Sequence, residues 1–259
     1  MRVVWRSFGT GFMFQAVAMR KEAGTYLALV SAPFFTLIFL SIVVHSDRAD
    51  LASYAVIAPT LMTLWTAVLM FSGEMISEDR ENGRLEALVA APISFSQLVF
   101  GRLCACMLLS LPAFGIAVVV AGLAFGHWIT IHHPLVFVVA IVVTAVATAA
   151  TATALSALFV VAPGARIVQN TLSFPMFLVG GVMVPASQLP VGLSGISRAI
   201  YLSWGADLLR DSLAAESVEA PVARLATVML LGAAALAFGS VSIVRFLRRA
   251  RRQGTLSRV

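Results

Sequence analysis

The chain has 259 residues, of which 60% are hydrophobic and only 12% charged, with a mean hydropathy of +0.95. A soluble domain carries about 25% charged residues, so this composition excludes a water-soluble globule, and apolar blocks of about 20 residues with almost no internal charge make lipid the solvent. Eighteen basic residues against twelve acidic give a net charge of +6; the arginines cluster beside apolar blocks, where they report topology, and no soluble stretch is long enough for a nucleic-acid-binding module.

In chain order, residues 1–22 come first. Trp5, Phe8, Phe12, Ala16 and Met19 recur at spacings near 3 and 4, with Arg2, Arg6, Arg20 and Lys21 supplying positive charge. The pattern predicts a helix lying in the cytoplasmic interface, although Gly9 and Gly11 weaken it. The first apolar block covers 25–44, too long for a signal-peptide core, and is expected to stay in the membrane. Further blocks cover 52–71, 98–125, 134–162, 168–184 and 222–246. Each suits a helix crossing about 30 Å of hydrocarbon, and none has the alternation of a barrel strand. The expected fold is a single all-α integral membrane domain over 1–259 with six transmembrane helices. With the N-terminus inside, fourteen of the eighteen basic residues fall inside, including the run Arg245, Arg248, Arg249, Arg251 and Arg252. The four outside are Arg48, Arg198, Arg210 and Arg224, an asymmetry that puts both termini in the cytoplasm.

Two segments are too polar to span. Residues 74–97 carry an acidic cluster, Gly83, a short amphipathic helix with Leu85, Leu88 and Val89 on one face, and Pro92. An apolar stripe with charged flanks suits a groove on a partner protein, and equally a solvated interfacial loop. In 185–221, Leu189, Leu193, Ile196, Ile200, Tyr201 and Trp204 alternate with polar residues. This predicts short helices re-entering the outer leaflet, with Tyr201 and Trp204 as interfacial anchors. Cys104 and Cys106, two residues apart, point to different helix faces and are not expected to bridge.

Catalytic chemistry is sparse. No acidic residue lies in the centre of a block, which argues against a proton-driven relay. His45, His127, His132 and His133 sit at block boundaries without an i, i+4 pair or Cys/His spacing; interfacial residence is one reading and haem or metal ligation the other. There is no phosphate-cradling Gly-x-x-x-x-Gly-Lys-Ser/Thr loop, nucleophile elbow or His-Glu-x-x-His run, so this chain is not expected to hydrolyse ATP or to hold a metal.

Glu78, Glu81, Gly83, Leu85, Glu86, Leu88, Pro92 and Ser94, followed by Gly101 and Arg102, resemble the Glu-x-x-x-Gly-Thr-Leu-Glu-x-Leu…Thr-Pro…Gly-Lys/Arg signature of type-2 permeases of ATP-binding-cassette exporters. Residues 174–213 resemble that family's fifth span, outer re-entrant helices and closing Asp-x-x-Arg, here Asp207 to Arg210. Arg84 departs from the usual Thr, and Leu202 to Trp204 from the usual Pro-Leu-Thr-Tyr. The resemblance implies that 74–97 holds a coupling helix contacting a separate nucleotide-binding ATPase subunit through Glu78, Glu81, Gly83, Arg84, Leu85, Glu86, Leu88, Val89 and Pro92. ATP and magnesium would be bound by that partner, with no cofactor in this chain. It also implies a pathway between two permease copies, or a copy and a paralogue, with Phe34, Phe35, Phe39, Trp65, Phe174 and Phe177 available to a cargo, and an outer gate of Tyr201, Trp204, Asp207 and Arg210. Thr144, Thr148 and Thr151 form a polar stripe on the fourth span, read as close helix packing. The expected activity is export of a hydrophobic or amphipathic compound across a bacterial inner membrane, with lipid-linked glycan export, and after it a haem-binding membrane subunit, as the alternatives.

Overall fold

In hydrocarbon a backbone amide has no water to bond, so the chain must close its hydrogen bonds within each segment. The computed structural model describes residues 2–20, 23–46, 52–84, 87–88, 91, 93–126, 130–161 and 165–253, and among them there are helices and no strand. The elements are α1 (Arg2–Met19), α2 (Ala23–His45), α3 (Ala52–Glu81), α4 (Phe95–Ser110), α5 (Pro112–Phe125), α6 (Pro134–Val161), α7 (Ala165–Val179), a 3-10 turn (Ala186–Gln188), α8 (Val191–Arg198), α9 (Tyr201–Leu213) and α10 (Pro221–Gln253).

Among the described residues, four stretches are long and apolar enough to cross a membrane: Ala55–Asp79, Phe95–Ala124, Pro134–Phe159 and Pro221–Arg249. The single block expected at 98–125 is two helices, because Pro112 cannot donate to the preceding turn; Leu111 keeps right-handed helical angles, so α4 runs into α5 without a loop. The block expected at 168–184 is shorter. α7 ends at Val179, and Gly181 at φ 71° turns the chain out of the helix. Its 15 residues reach about 22 Å. α2 has 23 residues and reaches about 34 Å.

The centre of the bundle is α3, which packs against α2, α4, α5, α6, α7 and α9. In the most apolar 18 residues of its span 78% are buried, against 22% in those of α10. Trp65, Val68, Leu69 and Ile76 are the buried heart of α3, and Phe114 on α5 meets Phe137 on α6 at 4.8 Å. The outer surface is apolar as well, with Leu123, Leu135, Leu230 and Phe238 each at least 70% exposed, as expected of helices that face acyl chains.

With no hydrophobic gain from leaving lipid, helices associate through close contact. The terminal helix α10 lies on α6, and a Cβ at Gly239 would sit 2.5 Å from the Cα of Ala154. At the other end of the sequence α1 lies on α4, where a Cβ at Gly11 would stand 2.3 Å from the carbonyl oxygen of Leu98 and one at Gly101 2.2 Å from that of Phe8. α1 is therefore not a helix resting on lipid alone. Its buried residues are Ser7, Gly11, Gln15 and Met19, and Phe8 stacks on Phe100 at 5.6 Å. Trp5, expected on the same stripe as Phe8 and Met19, is 70% exposed, because the inward face is set by the small and polar residues.

Gly101→Val should therefore lift α1 off α4, since the close neighbours are backbone atoms of Phe8 and Phe12 that cannot rotate away. We expect a loss of about 1–3 kcal/mol, read as a lower thermal midpoint in fluorescence-detected size exclusion. Gly9→Ala, which meets nothing within 4 Å, should be neutral or stabilising.

Candidate functional site

The most charged buried point of the bundle lies where α3 ends and α4 begins. Arg102 sits two turns into α4, only 6% exposed, and its NH1 donates to Asp79 Oδ2 at 2.6 Å. Its Nε donates to Gln15 Oε1 on α1 at 2.9 Å, and its guanidinium lies 5.1 Å from the centre of the Phe14 ring. Asp79 is 4% exposed and also meets Arg84 Nε at 3.6 Å. One carboxylate thus faces the arginine that anchors α4 and the arginine that opens the segment after α3. Nearby, the backbone N–H of Ser94 donates to Ser7 Oγ at 3.1 Å, which ties the far end of that segment to α1. A cavity of about 190 Å³ adjoins the cluster, lined in part by Phe14, Phe71, Glu74, Glu78, Arg84 and Arg102.

The expected coupling residues distribute around this cluster. Glu78 and Glu81 are exposed on the last turns of α3, whose end is capped by the amide of Asn82 donating to the Glu78 carbonyl. Gly83 follows at φ 66°, the left-handed angle that ends a helix, and Arg84 is exposed. Leu85, Glu86, Val89 and Pro92 lie outside the described residues. Leu88, expected on a stripe facing a partner, is half-buried and packs against this chain's own core, while Ala87 beside it is exposed.

At the opposite end of the bundle a second buried guanidinium does different work. Arg210, 6% exposed, donates through NH2 to the carbonyls of Gly181 (2.8 Å) and Val182, and through NH1 to Asp207 Oδ1 at 3.3 Å. These carbonyls follow the end of α7, so Arg210 fastens α9 to the turn that closes α7. Asp207 also meets Arg198 at 3.1 Å, and Arg198 lies 4.8 Å over the Trp204 ring, whose Nε1 donates to the Arg198 carbonyl. Burial raises the Asp207 carboxyl above its ordinary value, against the opposing pull of Arg210, Arg198 and Arg224. Arg224 on α10 meets Asp211 at 2.6 Å, and a cavity of about 760 Å³ opens beside these groups.

Tyr201 is not an interfacial anchor. It is 4% exposed and its hydroxyl donates to Thr148 Oγ1 at 3.0 Å, because the tyrosine lies on the face of α9 that packs on α6. The threonine stripe is a packing surface at its first two positions, where Thr144 and Thr148 are buried and a Cβ at Gly205 would sit 2.4 Å from Thr144 Oγ1. His132 and His133 bond the carbonyls of Leu213 and Glu216, and His45 that of Ser41; His127 lies outside the described residues. Of the six aromatic path candidates, Trp65 and Phe177 are buried in the core and Phe39 packs at its edge, whereas Phe34, Phe35 and Phe174 are exposed.

Asp79, Gln15 and Ser7 were not legible as site residues. The signal was Arg102 itself, an arginine inside an apolar block, which requires a partner; the sequence does not say which of several polar residues reaches it.

Because the pair is buried, removing either charge should cost about 3–5 kcal/mol, while replacing both should cost much less. Arg102→Met and Asp79→Asn alone should lower the thermal midpoint and the yield of monodisperse protein, and the double variant should recover most of both. A double variant as poor as the worse single one would show that the charge pairing is not what matters there.

The family described as ABC-2 type transporter matches residues 7–214, from α1 through α9, a span that includes both clusters. No curated protein matches the chain. With most of its length covered by that match, the chain belongs to the ABC-2 type transporter family, the membrane-embedded permease component of ATP-binding-cassette exporters.

Proposed function

We propose that this permease exports a hydrophobic or amphipathic compound, energised by a separate ATPase subunit that docks where α3 gives way to α4. The observation that carries the reading is the position of Asp79, which joins Arg84 at the start of the docking segment to Arg102 in a spanning helix. A displacement imposed on the segment by an ATPase would be passed to α4, and through Gln15 to α1, by groups too buried to exchange partners with water. Arg84, unusual for the family at this position, would be one of the contacts, though half exposed and so worth under about 1 kcal/mol by itself.

In this reading the protein has six spans, α2 and α7 included, with both termini and residues 82–94 in the cytoplasm and 185–221 on the outer side as short re-entrant helices. Two copies, or a copy and a paralogue, enclose the pathway. The aromatic contribution of each copy is Phe34, Phe35 and Phe174, the candidates that one chain leaves uncovered. Trp65 and Phe177 support the wall from within. Asp207 and Arg210, with Trp204, hold the outer closure. The chain itself hydrolyses no nucleotide; ATP and magnesium belong to the partner subunit.

Leu88 packs inward, so the docking test uses its neighbours. Leu85→Asp and, separately, Ala87→Arg should each weaken association by about 2 kcal/mol or more, a loss of roughly thirtyfold, read as co-purification with the ATPase subunit and as efflux, at normal membrane abundance. Full co-purification and efflux in both variants would overturn the docking assignment. Topology has its own test: single cysteines at Gly126 and Ser217 should be labelled from outside, and those at Gly83 and Gly254 from inside. Reversal of either pair would sink the orientation.

A further inference from the structure

Of the four long apolar stretches, that of α10 is the most exposed, and its two faces differ along their whole length. The inward face carries Gly239, Ile243 and Leu247, spaced by four and all buried, with Gly239 against Ala154 of α6. The outward face carries Phe238 (70% exposed) and Val241 (50%), followed on the same face by Arg245, Arg248 and Arg249, all exposed. Positions 238, 241, 245, 248 and 249 are related by steps of 3, 4, 3 and 1, which keeps them on one side of a helix. An apolar surface suited to acyl chains thus passes directly into a cationic surface about one turn further along. The helix runs unbroken through this change to Gln253.

Arg245, Arg248 and Arg249 are i, i+3 and i+4 neighbours, a spacing at which like charges repel. None of them takes part in an ion pair among the described residues, whose pairs involve Arg84, Arg102, Arg198, Arg210 and Arg224. Topology alone asks only for positive charge on that side of the membrane; it does not require the charge to be aligned with the lipid-facing apolar stripe. Guanidinium groups bind phosphate oxygens in a bidentate fork.

We infer that the outward face of α10, from Phe238 to Arg249, is a binding site for an anionic phospholipid, with Arg245, Arg248 and Arg249 holding the headgroup phosphate and Phe238 and Val241 against the acyl chains. Zwitterionic headgroups offer the same phosphate together with an ammonium that these arginines repel, so the site discriminates by net charge. The assignment rests on the chain's lying in a bilayer and is independent of the cargo and of the docking segment.

The test uses the full-length permease in mixed micelles containing equal phosphatidylglycerol and phosphatidylcholine, with bound lipid counted by native mass spectrometry. The parent should retain phosphatidylglycerol in preference. Arg245→Gln/Arg248→Gln/Arg249→Gln should lose about tenfold or more of that preference, and the triple Lys variant should keep most of it. Arg6→Gln/Arg20→Gln, on α1 and just after it, which removes exposed charge elsewhere, should leave the preference intact. Three results overturn the site: no preference in the parent, an undiminished preference in the Gln variant, or an equal loss in the α1 variant, which would mean diffuse charge. If the Gln variant keeps its lipid but loses co-purification with the ATPase subunit, the face docks protein and the lipid assignment fails.

Discussion

A guanidinium cannot leave water without company, and this constraint organises both ends of the bundle. Moving a charge into a medium of low dielectric costs several kcal/mol even after relaxation, so each buried arginine must collect acceptors. Arg102 collects Asp79 and Gln15, and in doing so fixes three helices relative to one another. Arg210 collects Asp207 and two backbone carbonyls left without helical partners where α7 stops. In each case the charge sits where a helix ends and the chain has polar groups to offer. The long apolar middles of the spans carry no comparable group among the described residues, and there contact depends on shape.

That shape is set by small residues. Lipid tails are as apolar as leucine side chains, so helices gain little by hiding large side chains from them and more by approaching closely. Gly239 against Ala154, and Gly11 with Gly101, are points where even a methyl group would meet backbone atoms that cannot move aside. The same logic explains why so many large apolar residues remain outside. Leu123, Leu135, Leu230 and Phe238 remain exposed at little cost in such a solvent.

The two clusters tie different parts of the chain together. Asp79 is shared between a buried partner, Arg102, and an exposed one, Arg84, so it connects the surface to the bundle. At the far end, Arg198, Trp204, Asp207 and Arg210 form a chain of contacts that ends on the closing turn of α7. Between them lies α3, which touches most of the other helices.

Hydropathy and charge placement were enough to reveal an all-helical membrane protein, the helical character of α1 and the polar segments after α3 and after α7, while the motif residues Glu78, Gly83, Pro92, Asp207 and Arg210 carried the family resemblance. These are properties of composition and local order. Which face of each helix turns inward was not local. The stripe of Trp5, Phe8, Phe12 and Met19 was visible, and Met19 is buried with Phe8 and Phe12 at the edge of the core. The inward face is nonetheless centred on Ser7, Gly11 and Gln15, because close approach to α4 and the need of Arg102 for an acceptor leave Trp5 outside. Tyr201 and Trp204 looked alike as boundary aromatics, yet only the packing of α9 on α6 sends one to Thr148 and leaves the other under Arg198. In lipid, hydrophobicity no longer separates inside from outside, so the sequence by itself determined where the helices are, and tertiary contact decided which side of each is the interior.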